Sequence, residues 1–111
     1  MASVDECRQA LQDLSARLAA NAEVREKINL DRTLACRITD LGVAFHGRLA
    51  GGCLVDLADG DDPRAKIVLS TTSDDLIALI NGQLDITRAL ASRRISINAN
   101  PFDLLKLRKL L

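Results

Sequence analysis

The stretch KIVLSTTSDDLIALINGQLDITRALASRRISINANPFDLLKLRKLL, Lys66–Leu111, holds the pattern from which the fold is read. It opens on two-residue alternation: Ile67 and Leu69 fall on one side of Lys66–Thr71, the mark of a half-buried strand. Thr72-Ser73-Asp74-Asp75 then supplies hydroxyl caps followed by carboxylates, which suit the positive end of a helix. Leu76, Ile77, Leu79 and Ile80 cover a wide arc of the next turns. Asn81-Gly82 stops that helix in the left-handed conformation that glycine permits. Asp85 caps a second short helix, Ile86–Ser92, and Arg94–Ala99 alternates again with Ile95 and Ile97 inward. Asn100-Pro101, a cap plus a first-turn proline, opens a last helix bearing Phe102, Leu104, Leu105, Leu107, Leu110 and Leu111.

Working upstream, Ser3 and Glu6 have the spacing of a capping box. Behind it Val4, Cys7, Leu11, Leu14 and Leu18 step by three and four, which draws one apolar stripe along a helix of residues 4–20. Such a seam can also pair with a second chain, but it is short for a coiled coil, and packing on its own domain is the preferred reading. Asn21–Arg32 is polar, a connector or a short second helix. From Thr33 the period becomes two. Leu34, Cys36 and Ile38 form one face of a strand, and Asp40-Leu41-Gly42 is a turn. Val43, Phe45, Gly47 and Leu49 make a second strand, Gly51-Gly52 a second turn, and Cys53, Val55 and Leu57 a third strand. An acidic loop, Asp59–Pro63, leads to the strand at Lys66. Short turns in succession predict an antiparallel meander, buried on one face and wet on the other.

A chain of 111 residues suffices for one domain, 1–111, around one core. Aromatic residues make up 2% and Trp and Tyr are absent, so the core is aliphatic and platforms for stacking bases are missing. No nucleic-acid partner is expected. Net charge is zero but unevenly spread: residues 1–82 carry −4 and residues 83–111 carry +4. The basic set Arg88, Arg93, Arg94, Lys106, Arg108 and Lys109 reads first as a solvated surface. Its second reading is a docking patch for anionic membrane headgroups, phosphates or an acidic partner. Cys7, Cys36 and Cys53 fit neither a disulfide framework nor a metal spacing, and with no signal-peptide pattern or membrane span a cytoplasmic location is expected.

Catalytic patterns are missing as well. His46 stands on the polar face of a strand without partners at triad or metal spacing. Asp61-Asp62 and Asp74-Asp75 are adjacent pairs whose side chains diverge, which suits loop solvation and helix capping rather than acid–base work. Gly51-Gly52 joins strands and lacks the lysine and helix of a phosphate loop. The expectation is a non-enzymatic protein with no cofactor, no metal and no catalytic residues.

The residues Gly82-Gln83-Leu84-Asp85, then Ala89, then Ile95-Ser96-Ile97, then Leu104-Leu105-Lys106-Leu107, preceded by Ile67-Val68-Leu69-Ser70 and Asp74–Ile80, resemble the second half of the sterol-carrier-protein-2 (SCP-2) family. The leading helix and meander agree in order and length. Arg93 and Ala99 stand where the family usually has glycines. The resemblance implies an α+β, SCP-2-like fold: a mainly antiparallel five-stranded sheet with one face covered by four or five helices. It further implies a lipid-binding or carrier domain, holding a sterol, fatty acyl or similar apolar ligand in an aliphatic cavity. Such a site needs no polar anchor, since burial yields about 25 cal/mol per Å² of apolar surface. The candidate ligand-binding residues are Leu76, Ile77, Leu79, Ile80, Leu84, Leu90, Phe102 and Leu105. The alternative is a protein-interaction or dimerisation module of the same fold, a homodimer with a filled core.

Overall fold

In the computed structural model the described residues are 2–20, 31–51 and 53–110, with the side chains of 107–110 left aside. The connector expected over Asn21–Arg32 falls outside them except at its last two residues. Helix α1 runs Val4–Ala20. Its capping box is formed: the Ser3 N–H donates to Glu6 Oε1 at 3.2 Å and the Glu6 N–H to Ser3 Oγ at 3.1 Å. Cys7, Leu11 and Leu18 of the stripe are buried, so α1 lies on its own sheet.

The sheet comprises β1 Arg32–Ile38, β2 Val43–Ala50, β3 Cys53–Asp59, β4 Ile67–Thr71 and β5 Ser96–Asn98, in the spatial order β3-β2-β1-β4-β5. β1–β2, β2–β3 and β4–β5 are antiparallel. β4 departs from the expected meander. Instead of pairing with β3 it lies parallel to β1, with Leu34 opposite Ile67 and Ile38 opposite Thr71. The connection over residues 60–66 crosses the sheet face turned away from the helices. There Asp61 takes a hydrogen bond from Arg37 at 3.2 Å, and His46 Nδ1 donates to the Gly60 carbonyl at 3.0 Å. Alternation predicts which side chains share a face but says nothing of which strand lies next to which.

A second departure is local. Val55 was expected inward, yet it is 37% exposed, while Leu54 and Leu57 join the core. A bulge opposite His46 and Arg48 adds one residue to β3, with Asp56 at φ 55°, and inverts the alternation. Gly47 accommodates it: a Cβ there would come within 3.1 Å of the Val55 carbonyl oxygen.

Helices α2 (Ser73–Ile80), α3 (Ile86–Ala91) and α4 (Pro101–Leu110) complete the chain. Thr72 caps α2 by accepting the Asp75 N–H, and Asp85 caps α3 by accepting the Thr87 N–H. Both helices end in the same way. Gly82 and Arg93 adopt φ of 76° and 62°, and the N–H groups of Gln83 and Arg94 reach back to the carbonyls of Ala78 and Ala89. The glycine-like position at 93 is thus real, and an arginine holds it at a cost of about 1 kcal/mol. Arg93→Gly is therefore expected to raise stability by about that amount, read as a higher denaturation midpoint at unchanged m-value.

Side chains brace α1 to the rest. Arg8 grips Asp59 through Nε and Nη2 at 3.1 and 2.7 Å. Ser15 Oγ donates to the Leu54 carbonyl at 2.6 Å, and Arg17 Nη2 to the Ile80 carbonyl at 2.7 Å. At the start of the helix the Ala2 N–H donates to Ser73 Oγ, whose hydroxyl and backbone N–H both donate to Asp40. Arg8 holds Asp59 below the usual carboxylate range, and the Ser73 hydroxyl does the same for Asp40. A depressed folded-state pKa stabilises the fold in full above the unfolded value of about 4 and is lost as pH falls through the folded value. Melting temperature is accordingly expected to decline below about pH 4. The decline should be shallower in a variant carrying Asp40→Asn and Asp59→Asn; equal slopes would refute the assignment.

Candidate functional site

The inner face of the sheet and the helices above it do not close completely. Between them lies a cavity of about 70 Å³. Its helical wall is Leu11, Leu14 and Leu18 of α1 with Leu76, Leu79 and Ile80 of α2. Every strand contributes to its floor: Leu34 and Cys36, Leu49, Leu54, Ile67 and Leu69, and Ile97. Each lining residue is Leu, Ile or Cys, so the space offers a guest contact and dehydration but no hydrogen bond.

Three of the eight residues expected to bind ligand, Leu76, Leu79 and Ile80, line this cavity. Leu84 and Leu90 instead pack against a neighbouring cluster of Leu79, Ile86, Ala89 and Ile95. Ile77 is half-buried on α2 and is not part of the lining. Phe102 and Leu105 face solvent, 74% and 55% exposed. The cause is the rotation of α4. Asp103, not an apolar residue, turns inward, 5% exposed, where Arg32 Nε donates to it at 3.1 Å. Phe102 and Leu105, three apart, share a face that points away. Conversely, the α1 stripe and the strand floor were identified as core but not as cavity wall. Periodicity marks those positions as inward; their failure to fill the space depends on side-chain volumes in three dimensions.

Cys36 sits in the floor. Burial, with a smaller contribution from Cys7, pushes its thiol up to about 12, and burial also raises Cys7. Neither is a thiolate nucleophile near neutral pH. Cys36 is expected to resist a charged thiol reagent at pH 8 until the chain unfolds. Labelling at the native rate of half-exposed Cys53 would contradict this placement. His46 belongs to the crossover on the other face, and no group of three metal-ligating side chains occurs among the described residues. Asp75 meets Arg94 at 2.6 Å and Asp61 meets Arg37 at 3.2 Å, so ion pairs engage both acidic stretches. No helix of the described residues is long and apolar enough to cross a membrane.

A mostly antiparallel sheet roofed on one face by helices, with an apolar cavity between the layers, places the chain in the α+β class. Residues 7–111 match the SCP-2 sterol transfer family, and the chain belongs to it. Solved structures agree in fold. Palmitated SCP2L2 from Aedes aegypti superimposes with a TM-score of 0.72 at 16% identity, covering 98% of this chain and 94% of that one. Sterol carrier protein 2 from Aedes aegypti, in complex with the C16 fatty acid palmitate, gives 0.57 at 20% identity, covering 86% and 87%. The inverting sec-alkylsulfatase Pisa1 from Pseudomonas sp. gives 0.69 at 22% identity; 88% of this chain is covered, but only 15% of the sulfatase. This chain therefore spans about a seventh of that enzyme and nearly the whole of the carriers. No curated protein matches the chain in sequence.

Proposed function

We propose that residues 1–111 act as one non-enzymatic domain that holds a fatty acyl or comparable alkyl chain between the sheet and the pair α1–α2. The observation that carries this is the cavity lined wholly by Leu, Ile and Cys side chains. Its present volume of about 70 Å³ is below the 150 Å³ or so that admits benzene in an engineered cavity, so a guest must displace a wall. The strands are joined by hydrogen-bond ladders, whereas α1 is held by side chains. Those contacts are the buried apolar stripe, which a guest would meet in kind, one exposed ion pair, and a few hydrogen bonds worth about 0.5–1.5 kcal/mol each. Burying ten methylenes yields about 8 kcal/mol, enough to move α1 outward and retain a net gain.

Organic extraction of the protein purified from cells, followed by mass spectrometry, tests the reading. Bound fatty acid or sterol is expected, together with a rise in melting temperature on adding the extracted species. Protein that releases no lipid and is not stabilised by any would reject it. The second reading, an interaction or dimerisation module, is favoured by the small cavity and by Phe102 and Leu105 at the surface. It calls for a concentration-dependent dimer in light scattering. Contact of the basic C-terminal third with anionic membranes belongs with the carrier reading, and vesicle binding that falls steeply with salt would support it. Cytoplasmic residence is consistent with Cys7, Cys36 and Cys53 all being free thiols.

A further inference from the structure

Three large apolar side chains are exposed among the described residues: Val55 at 37%, Leu105 at 55% and Phe102 at 74%. Val55 stands by itself at the β3 bulge, as single apolar residues on a surface commonly do. Phe102 and Leu105 lie three apart on α4 and form a pair. Rolling α4 to bury them would pull Asp103 out of its inward place, where Arg32 Nε holds it at 3.1 Å. The first turn is fixed as well, because the Asn100 side chain accepts the Phe102 N–H at 2.9 Å. The pair therefore stays at the surface by construction of the fold.

What shares the outward arc decides what could cover it. Helical residues are spaced by about 100°. With Asp103 marking the inward direction, Pro101, Phe102, Leu105, Arg108 and Lys109 hold the positions in an arc of about 120° on the opposite side. Asp103 is the sole acidic residue of α4, so that arc carries no negative charge. It lies in the third of the chain with a net charge of +4, whose other acid, Asp85, caps α3. An apolar pair beside cations suits a surface that is negative on top and greasy beneath, which describes a bilayer with anionic headgroups. A second copy suits it less. A two-fold contact through this arc would bring Arg108 and Lys109 of both chains together, and like charges would oppose it.

We infer that the outward arc of α4 is a docking surface for anionic membranes. Phe102 and Leu105 enter the boundary between headgroups and acyl chains, and Arg108 and Lys109 supply the attraction to the headgroups. The inference builds on the lipid reading above and names the face that the domain turns to a bilayer when it collects or delivers an acyl ligand.

Phe102→Trp serves as the reporter, since the chain has no tryptophan. With vesicles of mixed phosphatidylcholine and phosphatidylserine at low salt, its emission is expected to shift to the blue and to be quenched by brominated acyl chains. Vesicles of phosphatidylcholine alone should bind about tenfold more weakly or worse, the share of two basic residues at a charged surface. Raising the salt should shrink that difference, and Arg108→Gln combined with Lys109→Gln should abolish it. In vesicle sedimentation against the wild type, Phe102→Ser combined with Leu105→Ser is expected to weaken anionic-vesicle binding by about tenfold or more. Its melting temperature should hardly change, because both positions are exposed. Absence of binding to anionic vesicles, or binding that survives the double serine variant, overturns the surface. So does a blue shift that grows with protein concentration in vesicle-free buffer, which would assign the face to a second copy. A chain that releases lipid on extraction yet ignores vesicles overturns this inference alone. One that binds vesicles through these residues but carries no lipid upholds the surface and overturns only the carrier reading.

Discussion

Replacing Leu14 by tryptophan is expected to weaken alkyl-chain binding more than tenfold while the protein stays folded. Leu14 lies on α1, half-buried, with its side chain in the cavity wall. A bicyclic ring there takes up space that a guest would need, and partial exposure lets the indole N–H reach water. Overpacking costs about 1–3 kcal/mol, which a domain of ordinary stability survives. The chain has no tryptophan of its own, so the new indole also reports its surroundings by fluorescence. Leu14→Ala widens the same space and is expected to bind at least as well, at a stability cost near 2 kcal/mol. Binding by the tryptophan variant at the wild-type level would place the ligand outside the cavity.

Phe45→Ala is expected to be the most destabilising of the aromatic truncations, by about 3–5 kcal/mol. Phe45 is 1% exposed at the centre of the cluster with Cys7, Leu11, Ile38 and Leu76, and the Arg8 guanidinium lies 5.7 Å from its ring centroid. Against a total stability of about 5–15 kcal/mol this is a large share, and a melting temperature lower by roughly 15–20 °C follows. The chain's only other phenylalanine, Phe102, is 74% exposed. Phe102→Ala should change stability by less than about 0.5 kcal/mol. Similar losses for the two variants, measured by denaturant titration, would show that α4 is not rotated as described.

That contrast between two phenylalanines marks where sequence pattern stops being informative. Ser3, Glu6, Thr72, Asp85 and Asn100 cap their helices as their identities and spacing imply, because capping is settled within four residues of chain. Phe45 is inward because it alternates with Ala44 and His46. Phe102 has the same apolar character but sits on a helix whose roll is set by Asp103 meeting Arg32, a contact across 71 positions. No local pattern announces that contact. Leu54 and Val55 exchange roles for a comparable reason, since the bulge at Asp56 is a property of the β2–β3 pair and not of β3 alone.

From its order of residues this protein determines its elements, its caps, an aliphatic core without stacking platforms, and an affiliation legible from Gly82-Gln83-Leu84-Asp85 onward. These follow from short-range periodicity and composition, which chain neighbours alone decide. The parallel seating of β4 against β1, the roll of α4 and the cavity between α1, α2 and the sheet exist only once distant segments meet. They depend on volumes and charges summed over residues far apart in the chain, and such sums are settled by packing.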